Sequence, residues 1–187
     1  MRIVKTFRHR CVKCGNCCKT NGRVYLMVED VLTLSENMKM SVILFLDQYC
    51  EYRVERYILP NKGIVQEKLA LRKLSDNKCI FLMGNLCRIH SVKPLQCKAA
   101  PCLPQFLDDE EAWLRFAAIC KGFGSGEEYK PNRYIRLSDE VRNQQANYVN
   151  LLAKHNGSLK QLFGYNPRTV VECVVDMQDM QWNSSRT

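Results

Sequence analysis

The sequence predicts an irregular α+β fold in which small hairpins and helices gather around cysteine-rich segments and the C-terminal part is helical. Three observations predict this class. Short runs of β-branched and aromatic residues are separated by turn residues, apolar residues recur at helical spacing elsewhere, and most of the cysteines fall within two regions. We find no internal repeat and no low-complexity tract.

The composition is that of one folded domain. Of the 187 residues, 46% are apolar and 25% are charged, which excludes a mainly disordered chain. We expect residues 1–126 to form the cysteine-rich region and residues 127–187 a helical extension packed on the same domain. The first ten residues lack the apolar segment of a signal peptide, and the longest apolar run, residues 42–46, is too short to span a bilayer. A cytoplasmic protein without a membrane-spanning segment is therefore expected.

In the N-terminal half the local signals are strand, helix, helix and hairpin. Residues 23–27 have strand composition, Asp30 is a plausible N-cap for a first helix, and Ser41 for a second. Residues 52–59 and 64–74 then form two β-rich runs around the turn at 60–63, which predicts a hairpin.

The second cysteine region begins with another hairpin-like unit, because Gly84 and Asn85 form a turn signal between Cys79 and Cys87. Pro94 can open a short helix that places Cys97 near its N-terminus, where backbone N–H groups and the helix dipole would stabilise a thiolate.

The remaining chain is mostly helical in pattern. Residues 111–119 are compatible with a strand or a short helix and lead to Cys120 and a glycine-rich loop, whose backbone N–H groups could approach the sulfur. We predict helices from about Ser138 to Gly157, at residues 159–163 and at residues 169–180.

The cysteine spacing indicates metal binding. The chain has 11 cysteines, and four of them lie within the eight residues from Cys11 to Cys18. Two-residue gaps between thiols allow them to turn toward one centre, as in zinc knuckles and ferredoxin loops. An odd number of cysteines without a secretory signal argues against a disulfide framework.

Adjacent cysteines indicate more than one centre. Neighbouring side chains diverge along a helix or strand, so we expect Cys17 and Cys18 to divide between two metal centres or two parts of one multinuclear cluster. Four cysteines further along the chain bring the number of candidate ligands to eight. The candidates are Cys11, Cys14, Cys17, Cys18, Cys79, Cys87, Cys97 and Cys120.

Other cysteines and histidines are weaker candidates. Cys50 and Cys173 lie on apolar stretches and are expected to be buried, whereas Cys102 is equally compatible with a ligand and a bystander. His90 could bind metal, hydrogen-bond to a sulfur or serve only structure. The two other histidines, His9 and His155, are expected at the surface.

The combined motif resembles the YkgJ-type CxxCxxCC cysteine-cluster family. The matching pattern is Cys-x-x-Cys-Gly-x-Cys-Cys, a separate Cys79, Cys87-x-Ile-His-x-x-Lys-Pro-x-x-Cys97-Lys-x-x-Pro, and Cys120-x-Gly-x-Gly-x-Gly. That family is described as a zinc- or iron-chelating domain, and the resemblance implies the same eight cysteines as ligands. The sequence differs from the usual pattern at His90, at Ala100 and at Lys121.

The resemblance and the thiols together favour an iron-sulfur protein. Flagellin lysine N-methylases are similar in cysteine pattern and are thought to carry an iron-sulfur cluster, which favours a 4Fe-4S cluster over zinc. The expected role is electron transfer, metal handling or cluster-dependent modification of a partner protein. The alternatives are a structural zinc module that binds a protein or nucleic acid, and a protein-lysine N-methylase-like enzyme, which rests on the resemblance alone.

The charge is compatible with either a nucleic acid or a metal. The formal net charge is +9, and a basic N-terminal arm could bind phosphates. Metal-bound cysteines are thiolates, however, and their negative charge would offset much of this excess. A protein partner is therefore favoured over a nucleic acid. The sequence shows no Ser-His-Asp order, paired acid motif or dinucleotide-binding glycine pattern, so whether the protein is an enzyme stays open.

Overall fold

The computed structural model describes residues 6–59 and 62–176 and shows a mixed sheet flanked by helices. The strands of this sheet are β2 (Tyr25–Leu26), β3 (Cys50–Leu59), β4 (Lys62–Leu71) and β8 (Val170–Asp176). They lie in the order β2-β4-β3-β8. Strands β3 and β4 form the predicted antiparallel hairpin, whose turn at residues 60–61 lies outside the described residues.

Two helices follow β2, as the sequence predicts. They are α1 (Val28–Asn37) and α2 (Val42–Tyr49). Ser41 caps α2, since its hydroxyl oxygen accepts a hydrogen bond from the amide of Leu44 at 3.2 Å. Asp30 is not the N-cap of α1 but lies in its first turn, where its carboxylate accepts hydrogen bonds from the amides of Met27 and Leu95.

The second cysteine region is a small hairpin followed by a short helix. Its elements are β5 (Leu82–Met83), β6 (Leu86–Cys87) and α3 (Leu95–Ala99). Pro94 immediately precedes α3, and Cys97 lies within it, as predicted. The chain then continues as helices α4 (Pro104–Asp108) and α5 (Glu110–Ile119), so residues 111–119 form a helix rather than a strand.

A two-stranded sheet brings the chain start beside the end of the cysteine region. Strand β1 (Phe7–His9) pairs antiparallel with β7 (Glu127–Tyr129). The Phe7 ring contacts four aromatic rings that lie on or near α5, β7 and the helix that follows β7: Trp113, Phe123, Tyr129 and Tyr134. This aromatic cluster holds β1 against the glycine-rich loop that follows Cys120.

The C-terminal part is helical up to residue 163. Helix α6 (Pro131–Lys154) begins seven residues before the predicted start at Ser138, because Pro131 occupies the first helical turn and Ser138 is buried within the helix. Gly157, with a φ of 72°, ends this helical region, and α7 (Leu159–Phe163) follows.

The predicted helix at residues 169–180 is wrong for the part that the structure describes. Residues 170–176 form β8, which pairs parallel with β3, whereas residues 177–180 lie outside the described residues. The β-branched run Val170, Val171, Val174 and Val175 favours a strand, and the open edge of β3 offers it a partner.

The largest core lies between one face of the sheet and the helices α1, α2 and α6. Leu26, Val31, Phe45 and Leu69 are almost completely buried there. Three of the candidate cysteines, Cys18, Cys79 and Cys87, belong to or border this core. Among the described residues, no helix is both long and apolar enough to cross a membrane.

Candidate metal centre

The N-terminal cysteines lie on a loop that closes around Gly15. Residues Asn16–Lys19 form one turn of 3-10 helix, and the amide of Cys18 donates to the carbonyl oxygen of Gly15 at 3.0 Å. Gly15 is buried with a φ of 73°, which an L side chain rarely adopts. Cys11 and Cys17 are exposed, whereas Cys14 and Cys18 are partly buried.

This loop packs directly on the β5–β6 hairpin. The amide of Cys79 donates to the carbonyl oxygen of Cys18 at 2.8 Å, and the Lys19 ammonium donates to the side-chain oxygen of Asn85 at 2.6 Å. A Cβ on Gly15 would lie 2.8 Å from the carbonyl oxygen of Asn85. The glycine is therefore needed both for its backbone conformation and for this close approach.

Three separated cysteines share one local geometry that the spacing did not reveal. Cys79, Cys87 and Cys120 each accept, through the backbone carbonyl, a hydrogen bond from the amide three residues later. Each thiol also accepts a hydrogen bond from the amide two residues later: those of Phe81, Ile89 and Gly122. Such N–H···S bonds stabilise a thiolate, the form that binds metal.

Four thiols form what we call the inner group: Cys17, Cys18, Cys79 and Cys87. The thiol of Cys18 lies at its centre and hydrogen-bonds to the other three. Cys18 has a single S–H proton for these three sulfurs, and contact with Cys18 is the largest influence on the pKa of each. It lowers the pKa of Cys79, that of Cys87 to about 6 and that of Cys17 to about 7. Because Cys18 keeps its proton among three acceptors, its own pKa is strongly raised.

The expected divergence of Cys17 and Cys18 does not appear in this arrangement. Their thiols contact each other in the inner group, because the turn after Gly15 directs both toward the β5–β6 hairpin. Cys17 nevertheless lies close enough to Cys120 to influence that thiol electrostatically.

Cys97 lies beside the inner group. Burial within α3 raises the pKa of its thiol, and the charges of Cys17, Cys79 and Cys87 act in the same direction. Its position fits a fifth sulfur within reach of this group.

The remaining three candidates form what we call the outer group: Cys11, Cys14 and Cys120. Burial raises the pKa of Cys120, and the charges of Cys14, Cys17 and Cys11 add to that effect. Two imidazoles border the outer group. Nε2 of His90 lies 3.4 Å from the sulfur of Cys11, and Nε2 of His9 lies 3.4 Å from the sulfur of Cys120.

His9 is a functional candidate that the sequence interpretation missed. It was expected at the surface, but its side chain is only 8% exposed, with its ring against Phe123 and Tyr129. The only sequence signal for a buried His9 would have been the alternation of apolar and polar residues along its strand. Strand β1 has three residues, which are too few to show alternation.

The glycine-rich loop serves the outer group in two ways. The amide of Gly122 donates to the Cys120 thiol, as the sequence suggested. In addition, a Cβ on Gly122 or Gly126 would lie within 2.3 Å of atoms of Arg10, so the loop can wrap tightly around the end of β1.

Lys93, the lysine of the second cysteine motif, supplies a positive charge close to the thiols. Its ammonium lowers the pKa of Cys17, Cys87 and Cys97 and acts on both His9 and His90. Lys93 therefore lies near the inner group and near the two histidines that border the outer group, and it offsets part of the negative charge of the inner thiols.

The other cysteines are separate from both groups. Cys102 is fully buried between Leu107 and Tyr134, and burial raises the pKa of its thiol to about 12, so it is part of the core. Cys50 is also buried, with a pKa raised by burial to about 12. Cys173 is partly exposed on β8 and accepts a hydrogen bond from Arg53 at 2.6 Å. His155 is partly buried at the end of α6.

The donor set fits a thiophilic metal, although its side chains do not yet form a coordination sphere. Within residues 6–59 and 62–176, no three His, Cys, Asp or Glu side chains are placed so that they could jointly hold an ion. Soft thiolates select zinc or iron-sulfur clusters, with imidazole as an acceptable additional ligand. Binding would therefore need rotations of side chains whose backbones are already close together.

This combination of cysteine turns, shared thiol groups and a surrounding small α+β fold defines a metal-binding domain. The chain belongs to the CxxCxxCC family, whose model matches residues 10–121 and is described as "Putative zinc- or iron-chelating domain". It is also similar to an uncharacterised protein of Methanocaldococcus jannaschii, with 29% identity over 145 residues. That match covers 73% of this chain and 45% of the relative. No solved structure matches the chain.

Proposed function

We propose that this protein carries iron-sulfur chemistry on its clustered cysteines and uses it in electron transfer with a partner protein. The observation that carries the proposal is the proximity of the eight predicted cysteines in two adjoining groups, with three of them in turns whose amides donate to sulfur. Hydrogen bonds from the backbone to sulfur are a principal means of tuning the potential of a cluster.

The position of the thiols supports electron transfer to or from another protein. Cys11 and Cys17 are exposed, so a cluster bound there would lie at the surface. Close to them the chain exposes three large apolar side chains: Val12, Met83 and Leu86. An apolar patch beside a reactive centre is typical of a protein interaction site.

The charges around the patch indicate what the partner would present. Lys13 and Lys19 are exposed on the N-terminal loop, and Lys93 faces the thiols from the segment before α3. Complementary charges accelerate encounter between proteins. We therefore infer that the partner offers an acidic surface, and that their association weakens as salt concentration rises.

Zinc is the second candidate metal. Hydrogen-bond contacts between Cys18 and three other thiols make the inner group compact, and a four-cysteine set of this kind suits one tetrahedral ion. In that case the centre would stabilise the loops, and the exposed patch would be a binding surface alone. The hypothesis that the protein methylates lysine is based only on the family resemblance, and no contact described above favours it.

The visible absorption spectrum of protein purified without air distinguishes an iron-sulfur cluster from a zinc ion. Iron, zinc and sulfide are counted in the same sample. Iron and sulfide in near-equal amounts with broad sulfide-to-iron absorption would support the cluster. Stoichiometric zinc in a colourless protein would support the structural centre instead. A preparation that binds neither metal, even after reconstitution, would refute both.

A further inference from the structure

The outer group has three thiols where a four-coordinate metal needs four ligands. The inner group already gathers Cys17 around Cys18, and Cys97 lies beside Cys17, Cys79 and Cys87 of the same group. The donor atoms that do lie against the outer thiols are the imidazole nitrogens of His9 and His90.

We propose that His9 completes the outer group, so that Cys11, Cys14, Cys120 and His9 bind a single zinc or iron(II) ion. This inference rests on the metal-binding function proposed above and assigns a mixed sulfur and nitrogen site in place of a purely sulfur one. The inner group is then free to hold its own metal or cluster.

The distance between His9 and Cys120 matches such a site. Zinc binds sulfur at about 2.3 Å and nitrogen at about 2.0 Å, so a tetrahedral angle places the two ligand atoms roughly 3.5 Å apart. Nε2 of His9 lies 3.4 Å from the Cys120 sulfur. One ion can therefore bind both Nε2 of His9 and the sulfur of Cys120 without movement of either backbone.

His9 is held in place more firmly than His90. Its strand pairs with β7, it forms a bridge to Phe123, and its ring packs edge-on against Phe123 and Tyr129. His90 is only partly buried on the loop after β6, where a hydrogen bond to the Cys11 sulfur would orient that ligand.

The space around Nε2 of His9 is kept open by a glycine. A Cβ on Gly122 would lie 3.2 Å from this nitrogen, between the ring and the loop that carries Cys120. The same glycine donates its amide to the Cys120 thiol. One residue thus permits the approach of both members of the proposed ligand pair.

X-ray absorption at the zinc edge of the zinc-loaded full chain tests the proposal without any substitution. Two bound zinc ions should show seven sulfur ligands and one nitrogen ligand between them. Two zinc ions with sulfur ligands alone would overturn the role of His9 while leaving the metal-binding function intact. A wild-type chain that binds no zinc or iron would instead refute the function on which the proposal rests.

Three variants then identify the nitrogen. His9→Phe keeps an aromatic ring and should lose the outer ion while the inner one stays bound. His9→Cys should keep both ions and lose the nitrogen signal, and His90→Phe, the matched control, should keep both ions and the signal. Loss of the nitrogen in His90→Phe, its persistence in His9→Cys, or full zinc with an unchanged spectrum in His9→Phe would each overturn the assignment.

Discussion

The amide of Cys79 donates a 2.8 Å hydrogen bond to the carbonyl oxygen of Cys18, and the thiols of the same two residues hydrogen-bond to each other. Backbone and side chain are thus joined at one point between the N-terminal loop and the second cysteine region. Because this contact borders the main core, the geometry of the inner group and the packing of the domain depend on each other.

Gly15→Ala should destabilise this junction. The substitution places a Cβ 2.8 Å from the Asn85 carbonyl oxygen and 2.9 Å from Leu82 Cδ1, on a backbone with a φ of 73°. We expect a loss of about 2–4 kcal/mol from the left-handed conformation and the steric overlap together. Urea unfolding gives the stability, and metal analysis should show a lower metal content.

Gly124→Ala is the matched control, because Gly124 has a φ of 79° but no atom within 4 Å of its Cβ position. It should cost only the conformational part, about 1–2 kcal/mol, and leave metal content unchanged. Equal effects of the two substitutions would show that the loop does not depend on contact with the hairpin.

Cys87→Ser should remove metal from the inner group. The thiol of Cys87 contacts Cys18 and accepts a hydrogen bond from the amide of Ile89, so both neighbours orient the sulfur. Serine would replace this sulfur with a weaker ligand. Cys102→Ser changes a core thiol outside both groups, so it should lower stability but leave the metal bound per folded chain unchanged. Metal analysis of folded protein, purified without air, distinguishes the two. Similar metal loss in both variants would contradict the assignment of Cys102 to the core.

Much of the fold could be predicted because its signals are local. Ser41 precedes an apolar helical stretch, and two β-rich runs flank a short turn, so α2 and the β3–β4 hairpin follow from neighbouring residues. Strand β8 could not be predicted in this way, because its conformation depends on pairing with β3, which is distant in sequence. A run of valines is compatible with a buried helix until that partner is known.

The candidate site, like the fold, was predictable only where neighbouring residues determine it. Cysteine spacing predicted eight candidate thiols, but it could not show that Cys17 and Cys18 would turn to the same side or that Cys102 would face Tyr134. His9 was missed because it belongs to no motif and reaches the thiols only through tertiary packing. Lys93 lies within the second cysteine motif, but the motif alone could not show that its charge would reach the thiols.

Removal of the metal should lower the melting temperature, since binding free energy contributes to folding when the unfolded chain binds less tightly. Metal at a hundredfold its dissociation constant adds about 2.7 kcal/mol. For a chain of this size that corresponds to roughly 5–11 °C. Calorimetry with and without a chelator, under conditions in which metal release is confirmed, measures the shift. The shift should be smaller in Cys87→Ser, and an unchanged melting temperature after full metal release would contradict the coupling.

Glu55→Gln should destabilise the sheet and change its response to acid. The Glu55 side chain is only 6% exposed, and its carboxylate accepts hydrogen bonds from Tyr25, Tyr57 and Lys68. Burial alone would raise the pKa of Glu55, but these partners together hold it below the ordinary value. Replacing the carboxylate removes a charge-assisted partner from Lys68, at a cost of about 1–3 kcal/mol near pH 7.

The pH dependence follows from the direction of that shift. A carboxyl with a lowered pKa in the folded state stabilises the protein above its unfolded pKa of about 4.3, and this stabilisation is lost as pH falls through the folded pKa. The stability of Glu55→Gln should therefore fall less steeply than that of wild type below about pH 4.3, as urea unfolding at several pH values would show. Glu172→Gln, which changes an exposed carboxylate 3.5 Å from Arg56, serves as the control and should alter both stability and acid response little. Parallel pH profiles for wild type and Glu55→Gln would mean that Lys68 and the two tyrosines do not stabilise the ionised form of Glu55.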